Sequence, residues 1–424
     1  MRKKRFLVLC PNAWDKMALA RPEVVNGHQF AFEGEELLET PSAWKALTFD
    51  IFRYHRRLVQ RYRDCGLAGV IGTGDYPGCM LAAVLAEELE LPGPTVKDVV
   101  LLSHKFYSRE IQRQVVPDGT PAFEAIDPLN WSADPTLGYP LFVKPVKGTM
   151  SIRAQLVRDR QELKSALAFR FRERIRGHIL LRPFQQLLDA YSDRRVAAHY
   201  FVGERPLRGQ QVTVDGFVQD GRTTIIGIVD SVMYPGTTSF QRFEYPSSLP
   251  SDVQRRMAQL SSRLIEGCGL NNSLFNIELF YNADQDSVSI IEVNPRMSYQ
   301  FADLYQRVDG KNPYEVQLEI AMGTPVRWQP GAGPDRAAAS FVMRRFSNGQ
   351  VVSVPSSVEV EPLETLHPGL IVHVLCQPGA RLSDYDQDVG SFRYAIINLS
   401  ARNVDELHAR YQQVVQALPF QFSN

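Results

Sequence analysis

Five cysteines in 424 residues, at positions 10, 65, 79, 268 and 376, are scattered and odd in number, with no C-x-x-C pair. That pattern excludes a disulfide framework and a structural zinc site. Each lies in an apolar or glycine-rich setting suited to a buried free thiol. Net charge is also missing, because Lys+Arg and Asp+Glu both total 47. A general attraction to nucleic acid or anionic membrane is thereby excluded, leaving only local basic patches. No apolar run approaches the ~20 residues of a membrane span. The opening Met1-Arg-Lys-Lys-Arg-Phe-Leu-Val-Leu-Cys10 has a basic end, but Asn12, Asp15 and Lys16 interrupt its apolar stretch at once. It reads as a first β-strand rather than a secretory leader, and with free thiols the expected compartment is a reducing cytoplasm. There is no internal repeat, no P-loop of the GxxxxGK[ST] form, and no convincing Ser-His-Asp or Cys-His set.

What is present is the composition of a soluble globular protein, 44% hydrophobic and 22% charged, at a length that suits two to four domains. Residues 1–100 alternate strand and helix. Phe6–Leu9 and Gly69–Gly72 read as strands, with helices over Thr48–Tyr62 and Cys79–Glu90, the pattern of an open α/β domain. Gly72-x-Gly74 suggests a dinucleotide loop, but the third glycine falls at 78 behind Pro77, so a tight turn into a helix is preferred. Residues 97–116 read as one helix closed by Pro117. Leu141–Pro145 is a strand, 160–177 an amphipathic helix, and strands dominate 179–232 with a hairpin at 217–222. A helix over 251–267 is capped by Ser251 and stopped by Gly267, and another covers 313–322. Gln329-Pro-Gly-Ala-Gly-Pro334 is a linker. Short strands follow at 337–345, 350–360 and 370–375, with a last amphipathic helix over 404–417.

The most informative feature is a pair of strands, 276–281 and 290–296, joined by the polar stretch Asn282-Ala-Asp-Gln-Asp286. Side chains alternate along a strand, so Asn276 and Glu278 share a face opposite Ile277 and Leu279, and Glu292 and Asn294 share one opposite Ile291 and Val293. Folding about Gln285 sets 278 opposite 292 and 276 opposite 294. Facing carboxylates with Cβ atoms roughly 4.5–5.5 Å apart repel unless a cation sits between them. Two acids and an amide suit magnesium, completed by phosphate and water. The alternative is an ordinary exposed hairpin with solvated charges. Lys144 ends a strand before a loop holding Gly148, Thr149 and Ser151. That stretch supplies backbone N–H groups, hydroxyls and a fixed charge for phosphate; taken alone, a lysine snorkelling from a strand end explains it equally. Arg296, two residues beyond the metal strand, is placed to neutralise a phosphoryl group, with a structural ion pair as the alternative.

Together, Phe142-Val-Lys144-Pro-Val-Lys-Gly-Thr-Met-Ser151, Asn276-x-Glu278 and Glu292-x-Asn294-Pro-Arg296 resemble the ATP-grasp enzymes. The resemblance implies an α/β protein with α+β elements. It would comprise an N-terminal open α/β preATP-grasp domain (1–100), a two-lobed nucleotide clamp (101–205 and 206–325, the latter holding the metal hairpin), and a small C-terminal α+β region (326–424). Carried over residue by residue, Lys105, Lys144, Gly148 and Ser151 hold ATP phosphates. Glu204 to Leu207 form the hinge that meets adenine and ribose. Glu278, Glu292 and Asn294 bind Mg2+, with Mn2+ as a substitute, and Arg296 stabilises an acyl phosphate. The loop at 147–151 is poorer in glycine than many members, and Gln211 stands where a glutamate is often found.

The implied activity is that of an ATP-dependent carboxylate–amine ligase. A small carboxylate, an amino acid or related acid, becomes an acyl phosphate and is joined to an amine with release of ADP and phosphate. Tyr234, Arg242 and Ser298 are candidate substrate contacts, with aromatic packing of a surface loop as the equal alternative for the first two. A biotin-carboxylase-like enzyme using bicarbonate, or a non-catalytic nucleotide-binding module, are the other readings. The expected partners are small molecules and, by analogy with the family, a second copy in a homodimer.

Overall fold

The computed structural model describes residues 3–37, 49–148, 153–168, 171–193, 195–385 and 390–423. A three-stranded parallel sheet comes first, built from β1 (Arg5–Leu9), β2 (Gln29–Glu33) and β3 (Gly69–Ile71) in the order β2-β1-β3. Residues Phe6 to Leu9 of the central strand are all fully buried, as a parallel strand covered on both faces requires. Leu7 and Leu9 pack with the helices Ile51–Tyr62 and Met80–Glu88, while Phe6 and Val8 pack with the helix Pro313–Ala321. With β1 in the middle, the loops after β1 and β3 flank a crevice at the carboxyl edge, where open α/β sheets take ligands.

The expected helix over 97–116 is two helices, Val96–Ser103 and Lys105–Val115, broken at His104. His104 is extended (φ −95°, ψ 102°) and its ring accepts from Tyr107 N, capping the second helix. The break puts Lys105 on the first turn of a new helix. The second sheet contains β4 (Phe123–Ile126), β5 (Leu141–Pro145), β6 (Gln155–Val157) and β7 (Phe201–Glu204), antiparallel in the order β4-β7-β5-β6. The helix Arg160–Leu167 buries Leu163 and Leu167 against it. Strands do not begin at 179 as expected, because Phe171–Tyr191 is helical. Phe184, Leu187 and Leu188 fall at helical spacing and seal that helix onto the first core, a period hidden by the β-branched and aromatic residues around it.

The largest sheet has eight strands. It takes β8 (Gln210–Gln219), β9 (Arg222–Met233), β10 (Phe240–Tyr245), β11 (Ser273–Asn282), β12 (Ser287–Asn294) and β13 (Ala337–Arg345). Past β14 (Gln350–Ser353) it adds β15 (Ile371–Val374) and β16 (Phe392–Ala401), while β14 pairs with β17 (Gln421–Ser423). The order is β12-β11-β8-β9-β10-β13-β16-β15, so strands beyond residue 326 extend the sheet that carries the hairpin. The helix Ser251–Cys268 covers Val212, Val214, Ile277 and Leu279 on one face. On the same face the helix Val404–Ala417 covers Phe341, Ile397 and Leu399. Alternation turns Asp215, Asn276 and Glu278 to the other face, toward the N-terminal unit.

Two expected boundaries move and one expected cap is absent. The helix Ser251–Cys268 starts after Pro250 without a side-chain cap and ends at Gly269 (φ +81°), not at Gly267. The strand expected over 350–360 stops at Ser353, because Ser356 and Glu359 form a capping box that starts the helix Ser357–Leu366. Strand β16 carried no separate expectation. Among the described residues no helix is long and apolar enough to cross a membrane.

Gly209 leads from the linker into β8 at φ +134°, and a Cβ there would lie 2.0 Å from the Tyr281 carbonyl oxygen. Gly209→Ala is expected to lower stability by roughly 1–3 kcal/mol through overpacking and backbone strain. An unchanged denaturant midpoint would contradict this close approach.

Candidate active site

Strand alternation and the length of the 283–286 connection bring the hairpin into the expected register. Glu278 lies opposite Glu292 and Asn276 opposite Asn294. The ladder is irregular between Glu278 and Leu279, because Leu279 pairs with Ile290 and leaves Ile291 as the extra residue of a bulge. The Ile291 carbonyl is thereby turned to side-chain donors. It accepts from Lys144 Nζ at 3.1 Å and from an Arg109 terminal nitrogen at 2.8 Å.

Those two cations share a second acceptor. Arg109 Nε lies 2.6 Å from Glu204 Oε1, and Lys144 Nζ lies 3.1 Å from Glu204 Oε2, with all three side chains under 8% exposed. Burial alone would push the Glu204 carboxyl up, but Arg109 and then Lys144 hold it down at about 2. Burial lowers Lys144 in turn. Glu204 opposes that loss, but the adjacent Arg109 charge adds to it, which leaves a lysine receptive to further negative charge. Glu204 was expected at the adenine hinge, yet its side chain is engaged in this buried pair. Leu207 follows, half-buried in the connection to β8.

Lys105 Nζ lies 2.9 Å from Glu292 Oε1 and donates to the Gly148 carbonyl at 2.8 Å. Burial lowers its pKa, but Glu292 and then Asp75 and Glu278 outweigh burial and raise it. Lys105, Lys144 and Gly148 therefore converge with the hairpin. Ser151, with Thr149 beside it, lies outside the described residues.

On the metal face, Gln211 donates to Glu278 Oε2 at 3.0 Å, and burial followed by the facing Glu292 raises the Glu278 carboxyl. Asn276 donates to Asp215 Oδ1 at 2.9 Å and to Ser298 Oγ at 2.6 Å, and its own Oδ1 accepts from Asn294 Nδ2 at 3.2 Å. Asn276 thus fixes the Asn294 amide and leaves its oxygen beside the two carboxylates. No group of three or more His, Cys, Asp and Glu suited to a metal occurs among the described residues. Two acids and one amide, repelling in the absence of a cation, instead fit Mg2+ that is completed by phosphate oxygens and water.

Arg296 donates to the Met297 carbonyl at 3.1 Å, and its buried Nε has no partner among the described residues. It backs onto a cavity of about 30 Å3 lined by Gly72, Cys79, Pro295 and Gln317, room for about one water and too small for a substrate. Of the substrate candidates, Ser298 lies at the floor of the site, but its hydroxyl donates to Asp215 Oδ1 at 2.9 Å. Tyr234 donates to the Val342 carbonyl at 3.1 Å, with its ring edge-on to Phe346. Arg242 sits opposite Phe341, and so on the face covered by the helix Val404–Ala417. There its Nε donates to Glu244 at 2.8 Å, and Glu244 also meets His408 of that helix. The expectation for Arg242 therefore fails on strand parity, since the sheet separates it from Glu278.

Three site residues escaped the sequence reading. Arg109 follows Lys105 by one helical turn, a spacing that would have linked them. Lys147 stands within the phosphate loop already singled out. Asp75 ends the loop after β3, and its Oδ1 lies 2.9 Å from Lys147 Nζ.

Residues 137–305 match the family model described as an ATP-grasp domain. A stretch of 108 residues is 26% identical to carnosine synthase 1 of Gallus gallus, covering 25% of this chain and 11% of that protein. The chain thus spans about a tenth of the length of that curated relative. Among solved structures, an L-amino acid ligase from Bacillus licheniformis superposes with a TM-score of 0.76 at 18% identity over 100% of both chains. A phosphoribosylglycinamide synthetase from Anaerococcus prevotii gives 0.64 at 11% identity over 99% of each. The biotin carboxylase domain of Hydrogenobacter thermophilus 2-oxoglutarate carboxylase, in complex with MgADP, ADP and bicarbonate, gives 0.66 at 14% identity over 99% of this chain and 91% of that one. With the hairpin, the two lysines and this match in hand, the chain carries an ATP-grasp domain and has the ATP-grasp fold.

Proposed function

We propose that this protein is an ATP-dependent carboxylate–amine ligase acting on a small acid, an amino acid or a close relative. The observation that carries the reading is the convergence of Glu278, Glu292 and Asn294 with Lys105, Lys144 and Arg296 at one cleft. Glu278, Glu292 and Asn294 would hold a magnesium ion, which would supply charge neutralisation for the nucleotide phosphates. Lys105 and Lys144 hold the phosphates from the opposite side, exchanging Glu292 and Glu204 for phosphate oxygens. The substrate carboxylate oxygen attacks the γ-phosphorus, the bond to the ADP oxygen breaks, and an acyl phosphate forms. Arg296, with an unpartnered donor, stabilises that anion. A neutral amine then attacks the acyl carbon, phosphate leaves with the bonding pair, and the amine gives up a proton. Neither step needs a covalent enzyme intermediate, in keeping with thiols that burial raises to about 12 at Cys10 and Cys79.

The fold likeness to an L-amino acid ligase supports the amide-forming branch of this chemistry. The test is to mix the protein with ATP, magnesium and pooled amino acids and to follow phosphate release together with product mass. Release that depends on amino acids, with a condensed product, is the expected result. Release with bicarbonate alone would move the protein to carboxylase chemistry, and tight ATP binding with no release for any acid would make it a binding module.

A further inference from the structure

Asp75 stands at the carboxyl edge of β3, beside the crevice where the sheet order β2-β1-β3 changes direction. The other acid of that crevice, Asp15, is fully engaged: Oδ1 accepts from Thr73 at 2.5 Å and from Tyr314 at 2.6 Å, and Oδ2 accepts from Asn12 N at 2.8 Å. Asp75 is not. Its Oδ1 is anchored by Lys147, whose ammonium also lies 5.7 Å from the Tyr76 ring centroid and 5.4 Å from that of Phe184. Its Oδ2 takes no hydrogen bond from the described residues, and the side chain stays 18% exposed toward the cleft. Arg296 forms no ion pair among the described residues; burial opposes its charge, and Asp75 is the first of the acidic groups that favour it. An unpaired cation and a half-satisfied anion therefore lie within electrostatic reach of one another with no ion pair between them.

Such a pair of charges matches a zwitterion. Resting on the ligase reading above, we infer that Asp75 is a specificity residue that binds the ammonium group of the acid being activated, while Arg296 holds its carboxyl end. The inference assigns the acyl donor, not the amine nucleophile, to Asp75. Burial would push this carboxyl up, but Lys147, Arg296 and Lys105 hold it down at about 2, so it stays anionic at any working pH. A permanent anion keeps a bound amine protonated, and a protonated amine has no lone pair with which to attack. The ammonium seated on Asp75 must therefore be the one that does not react. That condition is met by an amino acid whose carboxyl is activated and whose own amino group is held out of the reaction.

The test compares kcat/KM for ATP-dependent phosphate release with L-alanine against propionate, and with L-phenylalanine against 3-phenylpropionate. Glycinamide serves as the amine throughout, because it has no carboxyl of its own to activate. The wild type should favour the amino acids by roughly 10- to 100-fold, the value of one charge-assisted hydrogen bond. Asp75→Asn should bring that ratio close to unity, whereas Asp75→Glu should keep most of it even if turnover falls. A ratio unchanged in Asp75→Asn, with both acids losing rate in proportion, would make Asp75 merely the seat of Lys147 and overturn the inference. A wild type that turns over acids regardless of the amino group would also overturn it. No phosphate release with any acid is a different outcome, since it removes the ligase reading itself.

Discussion

Glu292→Gln is expected to cut ATP-dependent phosphate release by about 10²–10³-fold, the scale on which a single group stabilising transferred charge is missed. The substitution keeps the shape of the side chain and removes one of the two facing charges. Glu278 then loses the neighbour that helps burial raise its carboxyl, and Lys105 loses the partner 2.9 Å away. Neither change harms the fold, because the Glu292 side chain is 26% exposed and an amide still accepts from Lys105. The thermal midpoint should therefore stay level or rise slightly as like-charge repulsion is relieved. Phosphate release measured across a magnesium titration, beside a melting curve, checks both halves. Full turnover at ordinary magnesium would remove Glu292 from the metal site.

Arg109→Met is expected to destabilise the protein by roughly 3–5 kcal/mol, because it strips a buried carboxylate of its closer partner. Arg109 and Glu204 are 2% and 4% exposed, and Lys144 alone, with a pKa already lowered by burial, cannot replace the guanidinium. Adding Glu204→Met should return only part of the loss, since it removes the stranded carboxylate but leaves buried Lys144 with the Ile291 carbonyl alone as its acceptor. The same pair sets an acid limit. The Glu204 carboxyl is held at about 2 against an ordinary value of 4.5. A group depressed in the folded state contributes in full above its unfolded pKa and is lost as pH falls through its folded one. About 3 kcal/mol of stability should therefore drain between roughly pH 4.5 and 2, and Glu204→Gln should flatten that slope. Urea midpoints over this range measure it; equal acid slopes in the two proteins would refute the pairing.

Much of the site was legible because it obeys a local rule. Strand alternation with a short polar connection sufficed to put Glu278 opposite Glu292 and Asn276 opposite Asn294. At Lys144 the loop that follows pointed to phosphate only as one of two equal readings, the other being a lysine snorkelling from a strand end. Where a local rule competed with packing, the reading failed. The helix expected to end at 177 runs on to Tyr191, where strands were expected from 179, because burial of Phe184, Leu187 and Leu188 on the first core decides that stretch. Arg242 was a candidate by residue chemistry within the 230–246 segment, and only the sheet register shows that it lies on the face covered by the last helix.

By itself the sequence determined an α/β chain with a carboxylate hairpin in a defined register, since these rest on periodicity and residue chemistry over a few neighbours. Tertiary structure decided which charges are free. It joined Arg109 to Glu204 across 95 residues, turned the Ile291 carbonyl outward through a bulge, and tied Asp75 to Lys147 across 72 residues. The physical reason is that a side chain's partners and its protonation follow from burial and from neighbours far away in sequence, and neither can be read from local spacing.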